Sequence, residues 1–141
     1  MDRVSYRNYC DKGGGKQEDL FYAFGSRGRA AAFGVAYPEM GSICQTACEK
    51  ALKIGIGSFL QRPSLGDQAI STITDFINEG IYILQEPRKA VFCSFAILYV
   101  LRDKARFIVS EHAGIYHLQD GKMQEISRGY KNPLPGKKMR S

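Results

Sequence analysis

No apolar run in this chain approaches the roughly 20 residues that a membrane span needs. The first residues, "MDRVSYRNY", contain no apolar signal-peptide region. Both absences predict a cytoplasmic protein that does not span a membrane. Metal-binding cysteine pairs are missing too. Cys44 and Cys48 lie four apart on an expected helix, but Cys10 and Cys93 stand alone, so a second close pair for a thiolate site is lacking. The cysteines are expected as small buried hydrophobes, without disulfides in a cytosolic setting. The last stretch, "SRGYKNPLPGKKMRS", contains no acid and only one aromatic residue, Tyr130. With so little to stack on bases, it reads as a solvated basic tail over residues 128–141, and nucleic acid is not an expected partner. "GGGKQ" is not a phosphate loop, because Gln17 stands where Ser or Thr is required and a strand follows. His112 and His117 have no suitably placed serine or cysteine. Glu111 and His112 are adjacent, so on a strand they point to opposite sides. No internal repeat is visible.

What is present is ordinary for one domain with a real core: 141 residues, 44% hydrophobic and 24% charged, with a net charge of +6. The domain is expected over residues 1–127. Residues 3–9 alternate weakly, with Val4 and Tyr6 on one face, and suggest a first strand. "DLFYAFG" reads as a second, "SRGR" as a hairpin connection and "AAAFGVA" as a third, buried strand. From Ser42 to Leu60 the period changes. Ile43, Ala47, Ala51 and Ile54 recur at helical spacing, while Gly55 and Gly57 weaken the helix end. Pro63 ends that helix, and Ser64 is the expected N-cap of a second, with Asp67 in its first turn. Ile70, Ile73, Phe76, Ile77 and Ile81 form its apolar face, and it should stop before Pro87. "KAVFCSFAILYVL" reads as a buried central strand, "RDK" as a tight turn, "ARFIVSEHAG" as the strand pairing back, and "IYHLQ"–"DGK"–"MQEIS" as a final hairpin. Three strands, two helices and four strands predict an α+β fold, with antiparallel β-sheet layers and one pair of antiparallel helices.

This order resembles the first half of the type-2C, metal-dependent serine/threonine protein phosphatases. Three stretches carry the resemblance. "QEDLF" is similar to the acidic motif in which Asn-Gln-Asp or Met-Glu-Asp ends the first strand region. "FGVAYPEMG" stands where the family has Phe-Gly-Val-Ala-Asp-Gly-His-Gly-Gly. "ARFIVSEHAGIYHLQDGKMQEIS" resembles the stretch with Val-Gly-Asp-Ser-Arg, a Tyr-Leu strand and an Asp-Gly-Lys hairpin. Order and spacing over residues 3–127 make the case, since each motif alone is weak.

The resemblance implies a phosphatase-2C-like half-sandwich, and for the family it implies two divalent metals that activate a bridging water. Manganese or magnesium in such a site needs a cluster of carboxylates. Carried over by position, Glu18 and Asp19 match the first acidic motif. The bridging aspartate falls on Tyr37 and the glycine after it on Pro38. The Gly-Asp-Ser-Arg motif falls on Ser110, Glu111 and His112, without the arginine. The later aspartates of the family's second half have no counterpart. The expectation is therefore a catalytically inactive, phosphatase-like domain with a vestigial metal position at Glu18 and Asp19. No cofactor is expected. It would act through a protein partner, most simply as a homodimer covering the apolar sheet surface that half a sandwich leaves open. Tyr37, an apolar ring with one polar end, suits an interface. The alternative is a small manganese- or magnesium-dependent phosphohydrolase using Glu18 and Asp19 with Glu39, Glu111 or Asp120.

Overall fold

A computed structural model describes Arg7 and residues 21–38, 45–84, 93–110 and 112–129. The described chain runs β1 (Phe21–Arg27), β2 (Ala30–Pro38), α1 (Gln45–Gln61), α2 (Asp67–Tyr82), β3 (Cys93–Leu101), β4 (Lys104–Val109), β5 (Tyr116–Gln119) and β6 (Lys122–Glu125). Strands β1 to β4 form an antiparallel sheet in sequence order, and β5 and β6 form a separate hairpin. This is the expected α+β arrangement at its coarse level. The strand expected over residues 3–9 lies outside the described residues except for Arg7, which belongs to no strand. Among the described residues, no helix is long and apolar enough to cross a membrane.

The turns follow from local chemistry. Gly28 takes φ 61° at the first central position of the β1–β2 turn, where glycine carries no Cβ penalty. Asp120 and Gly121 are both left-handed, at φ 54° and 76°, as the favoured Asp-Gly hairpin turn requires. Arg102 is also left-handed, and its N–H donates to the Arg29 carbonyl at 3.0 Å, tying the β1–β2 and β3–β4 turns together.

One face of the sheet is built small on β2. Ala30, Ala32, Gly34 and Ala36 alternate toward α1, and a Cβ on Gly34 would lie 2.7 Å from Leu52 Cδ2. These small residues let α1 lie close over the sheet. Ala47, Cys48, Ala51, Leu52 and Phe59 fill the contact from the helix, and Phe95, Ile97 and Tyr99 fill it from β3. Helix α2 runs back along α1 and buries Ile70, Ile73, Ile77 and Ile81. Arg106 on β4 fixes its start, donating to the Leu65 carbonyl at 2.9 Å and to Asp67 Oδ1 at 2.7 Å.

Helix α1 ends at Gln61, ahead of Pro63 as expected, and runs unbroken through Gly55 and Gly57; two other local expectations, the α2 N-cap and the end of β4, differ from the structure. Gly55 is required there by close approach, because a Cβ would meet Ile97, Ile77 and the Tyr99 hydroxyl. Tertiary packing thus outweighs its low helix propensity. The N-cap of α2 is Gly66 rather than Ser64, whose Oγ instead accepts from the Gly66 N–H at 3.1 Å in the preceding turn. Strand β4 ends at Val109, short of the expected "ARFIVSEHAG". Ser110 is bound twice to Phe95: its N–H donates to the Phe95 carbonyl at 2.9 Å, and its hydroxyl accepts from the Phe95 N–H at 2.9 Å.

The Tyr99 hydroxyl is buried and donates to the Gly55 carbonyl at 3.0 Å. Burial pushes its ionisation well above the ordinary phenol range, because the phenolate would lose its hydration. The unfolded chain therefore ionises this group first. The stability it contributes is intact below about pH 10 and is lost as pH rises beyond it. Tyr99→Phe is expected to cost about 1 kcal/mol at neutral pH. Above about pH 10 the parent should lose up to about 1.4 kcal/mol per pH unit more than the variant. Urea melts of both proteins between pH 8 and pH 11 check this, and parallel pH profiles would contradict it.

Candidate functional site

The other face of the sheet carries the bulky side chains. Tyr22 and Phe24 on β1 pair in register with Val35 and Phe33 on β2, and Tyr37 follows. Leu98 and Val100 on β3 and Phe107 on β4 lie on the same face by alternation. The Phe24 and Phe33 rings are 5.1 Å apart and tilted by 40°, a favourable aromatic pair. The helices lie on the opposite face, and Phe24, Val35 and Tyr37 remain 40%, 41% and 51% exposed. None of the strand side chains on this face is charged. On the same face Ala31, Ser94, Ala96 and Val109 are buried, so it is covered in part, and its apolar character departs from the polar alternation of a fully solvated sheet face.

One end of this face is partly roofed. Gly114, Ile115 and Tyr116 stand across a groove of about 490 Å³ from Tyr22, Val35 and Leu98, with Arg7 also on the wall. The roof is held at its base. The Ile115 N–H donates to the Ser127 hydroxyl and the Ile126 N–H to the Ile115 carbonyl, each at 2.9 Å. Beyond the roof, Tyr116, Leu118 and Met123 form an exposed apolar side of the β5–β6 hairpin.

The fold brings two of the three motif stretches to one end of the sheet. Tyr37 and Pro38 pair with Ser94 and Cys93, and Ser110 pairs with Phe95. β1 begins at this same end, with Phe21 opposite Ala36. Glu18 and Asp19, the expected metal position, lie outside the described residues, as do Glu39 and Glu111. Asp120 is exposed at the tip of the β5–β6 turn. His112 and His117 are exposed, and Cys48 and Cys93 are buried. Cys10 and Cys44 lie outside the described residues.

The chemistry of the described donors does not fit the metal pair that the resemblance implies. Tyr37, Ser94 and Ser110 supply no carboxylate, and the Ser110 hydroxyl is engaged with Phe95. Among the described residues, no group of three or more His, Cys, Asp or Glu side chains comes together. A second groove, of about 570 Å³ between α2 and β4, contains Asp67, Asp75 and Arg106, but Arg106 is already paired with Asp67.

Sequence reasoning expected an open apolar surface without naming its residues. A usable signal was present: in β2, bulky Phe33, Val35 and Tyr37 alternate with small Ala32, Gly34 and Ala36. Comparison with models of protein families, with curated proteins and with solved structures finds no match.

Proposed function

We propose that this chain is a phosphatase-2C-like half-sandwich that works by binding another protein and does not hydrolyse phosphoesters. The observation that carries the reading is the exposure of three large apolar side chains, Phe24, Val35 and Tyr37, on the sheet face away from the helices, none of whose strand side chains is charged. Neighbouring exposed apolar side chains of this kind suit an interaction surface. The convergence of Tyr37 and Ser110 at one sheet end supports the family likeness. The lack of carboxylates on those described residues supports loss of the chemistry.

Calorimetric titration with manganese and an assay on a generic aryl phosphate test the reading together. The expected result is no saturable heat and no turnover above buffer. Manganese-dependent turnover that disappears in both Glu18→Ala and Asp19→Ala would replace it with a small metal phosphohydrolase.

A further inference from the structure

We propose that the turn end of the sheet, built from Arg27, Arg29, Arg102 and Lys104 with Arg62 beside them, docks an acidic segment of the protein partner. This inference rests on the binding reading above and adds the chemistry of the partner.

The fold gathers these cations from three parts of the sequence. Arg27 and Arg29 flank Gly28 at the β1–β2 turn, and Arg102 and Lys104 flank Asp103 at the β3–β4 turn. Strands β2 and β3 are neighbours, with Ala30 opposite Leu101, so the two turns lie side by side. The bond from the Arg102 N–H to the Arg29 carbonyl holds them together. The end of α1 joins them from the helix layer. The Arg27 guanidinium donates to the Leu60 carbonyl at 3.4 Å, and Arg62 follows two residues later. Four adjacent strands span about 15 Å, so the cations share an area that a short peptide can cover.

The charge at this end is uncompensated. All five residues are exposed. None of them is in an ion pair with a described residue, whereas Arg106, further along β4, is paired with Asp67. At the other end of the sheet, Phe21, Tyr37, Pro38, Cys93 and Ser94 carry no charge. Like charges gathered at one end repel one another and create a positive field that attracts a negatively charged partner.

The surroundings favour an acidic protein segment over a phosphate backbone or a bilayer. Asp103 stands between Arg102 and Lys104, where a nucleic-acid strand, charged at every step, would meet its carboxylate. A peptide can place an uncharged residue there. Neither turn has an aromatic ring to stack on a base or an exposed apolar side chain to enter a bilayer. From Arg62 a groove of about 790 Å³ continues between the end of α1 and the start of α2, past Gln61, Ser64, Gln68 and Thr72. Their uncharged donors and acceptors suit the N–H and C=O groups of an extended peptide. Four of the five cations are arginines, whose planar fork matches a carboxylate with two parallel bonds.

Fluorescence anisotropy of a labelled octaglutamate peptide with the full chain, in about 50 mM salt, tests the proposal. Binding should saturate, and should weaken at least about 10-fold in about 1 M salt, where screening shortens the reach of exposed charges. Arg29→Glu combined with Arg102→Glu, one change in each turn, should weaken it by at least about 10-fold in the low-salt buffer. The control combines Lys50→Glu with Lys53→Glu in the first half of α1. It changes the net charge equally and should keep the parent's affinity. Circular dichroism melts confirm that each variant is folded.

An equal loss in the control means that the peptide reads net charge alone, and overturns the proposal. A nonspecific DNA duplex, or phosphatidylserine vesicles, that bind more tightly than the peptide and are released by the Arg29→Glu and Arg102→Glu pair give the site to another class of partner and also overturn it. An absence of saturable peptide binding overturns this docking site and leaves the reading above in place, since manganese-dependent turnover is what defeats that reading.

Discussion

Phe59→Ala is expected to lower the stability of the protein by about 3–5 kcal/mol, the range for removing a fully buried aromatic ring. Phe59 lies in the last turns of α1, is 0% exposed, and its ring centre is 4.7 Å from that of Tyr99 at a tilt of 45°. Two losses combine in the variant. The ring's transfer out of water is forfeited, and a cavity remains because α1 cannot collapse onto β3. Collapse is blocked nearby, where Gly55 already brings the helix backbone against Ile97 and the Tyr99 hydroxyl. Urea unfolding should show a lower midpoint with an unchanged slope, since the surface exposed on unfolding is nearly the same. A loss below about 1 kcal/mol would mean that the site repacks freely and that α1 is not the rigid backing of the sheet. α1 is the layer that supports β1, β2 and β3 from behind.

Tyr37→Asp is expected to cost about 1–3 kcal/mol without metal and to make the protein responsive to manganese. Tyr37 is half-exposed near the end of β2, so its replacement loses part of an aromatic surface. It also puts aspartate, a poor strand former, into a register pair with Ser94. If the resemblance holds, the new carboxylate meets the acidic pair it assigns to Glu18 and Asp19, and like charges at short range repel. If Tyr37 occupies a former ligand position, a divalent ion relieves that repulsion in the folded state alone. Millimolar manganese should then raise the melting temperature of the variant and leave the parent unchanged. Full recovery is not expected, because Pro38 still occupies the position after it. Equal shifts in both proteins, or none in either, would remove the idea of a lost metal position at this turn.

Local pattern determined a good deal of this protein. The changes from two-residue to helical period and back marked two strands, two helices and four more strands close to where they stand. The turns at Gly28 and at Asp120–Gly121 were legible because left-handed backbone selects those residues. The shortness of every apolar run was enough to argue against a membrane-spanning helix. Other features required the assembled fold. Ser64 and Gly66 compete for the start of α2, and the clamp of Arg106 on Leu65 and Asp67 comes from a strand about 40 residues away. Gly55 reads as a helix weakness until Ile97 and Tyr99 are set beneath it. A two-residue period shows that β2 has a bulky side and a small side, but it cannot say which one meets the helices. The structure puts the small side inward, because helix α1 needs backbone-close contact along its length. The aromatic side is therefore left facing outward. That outcome depends on pairings between residues far apart in sequence, which no local pattern encodes.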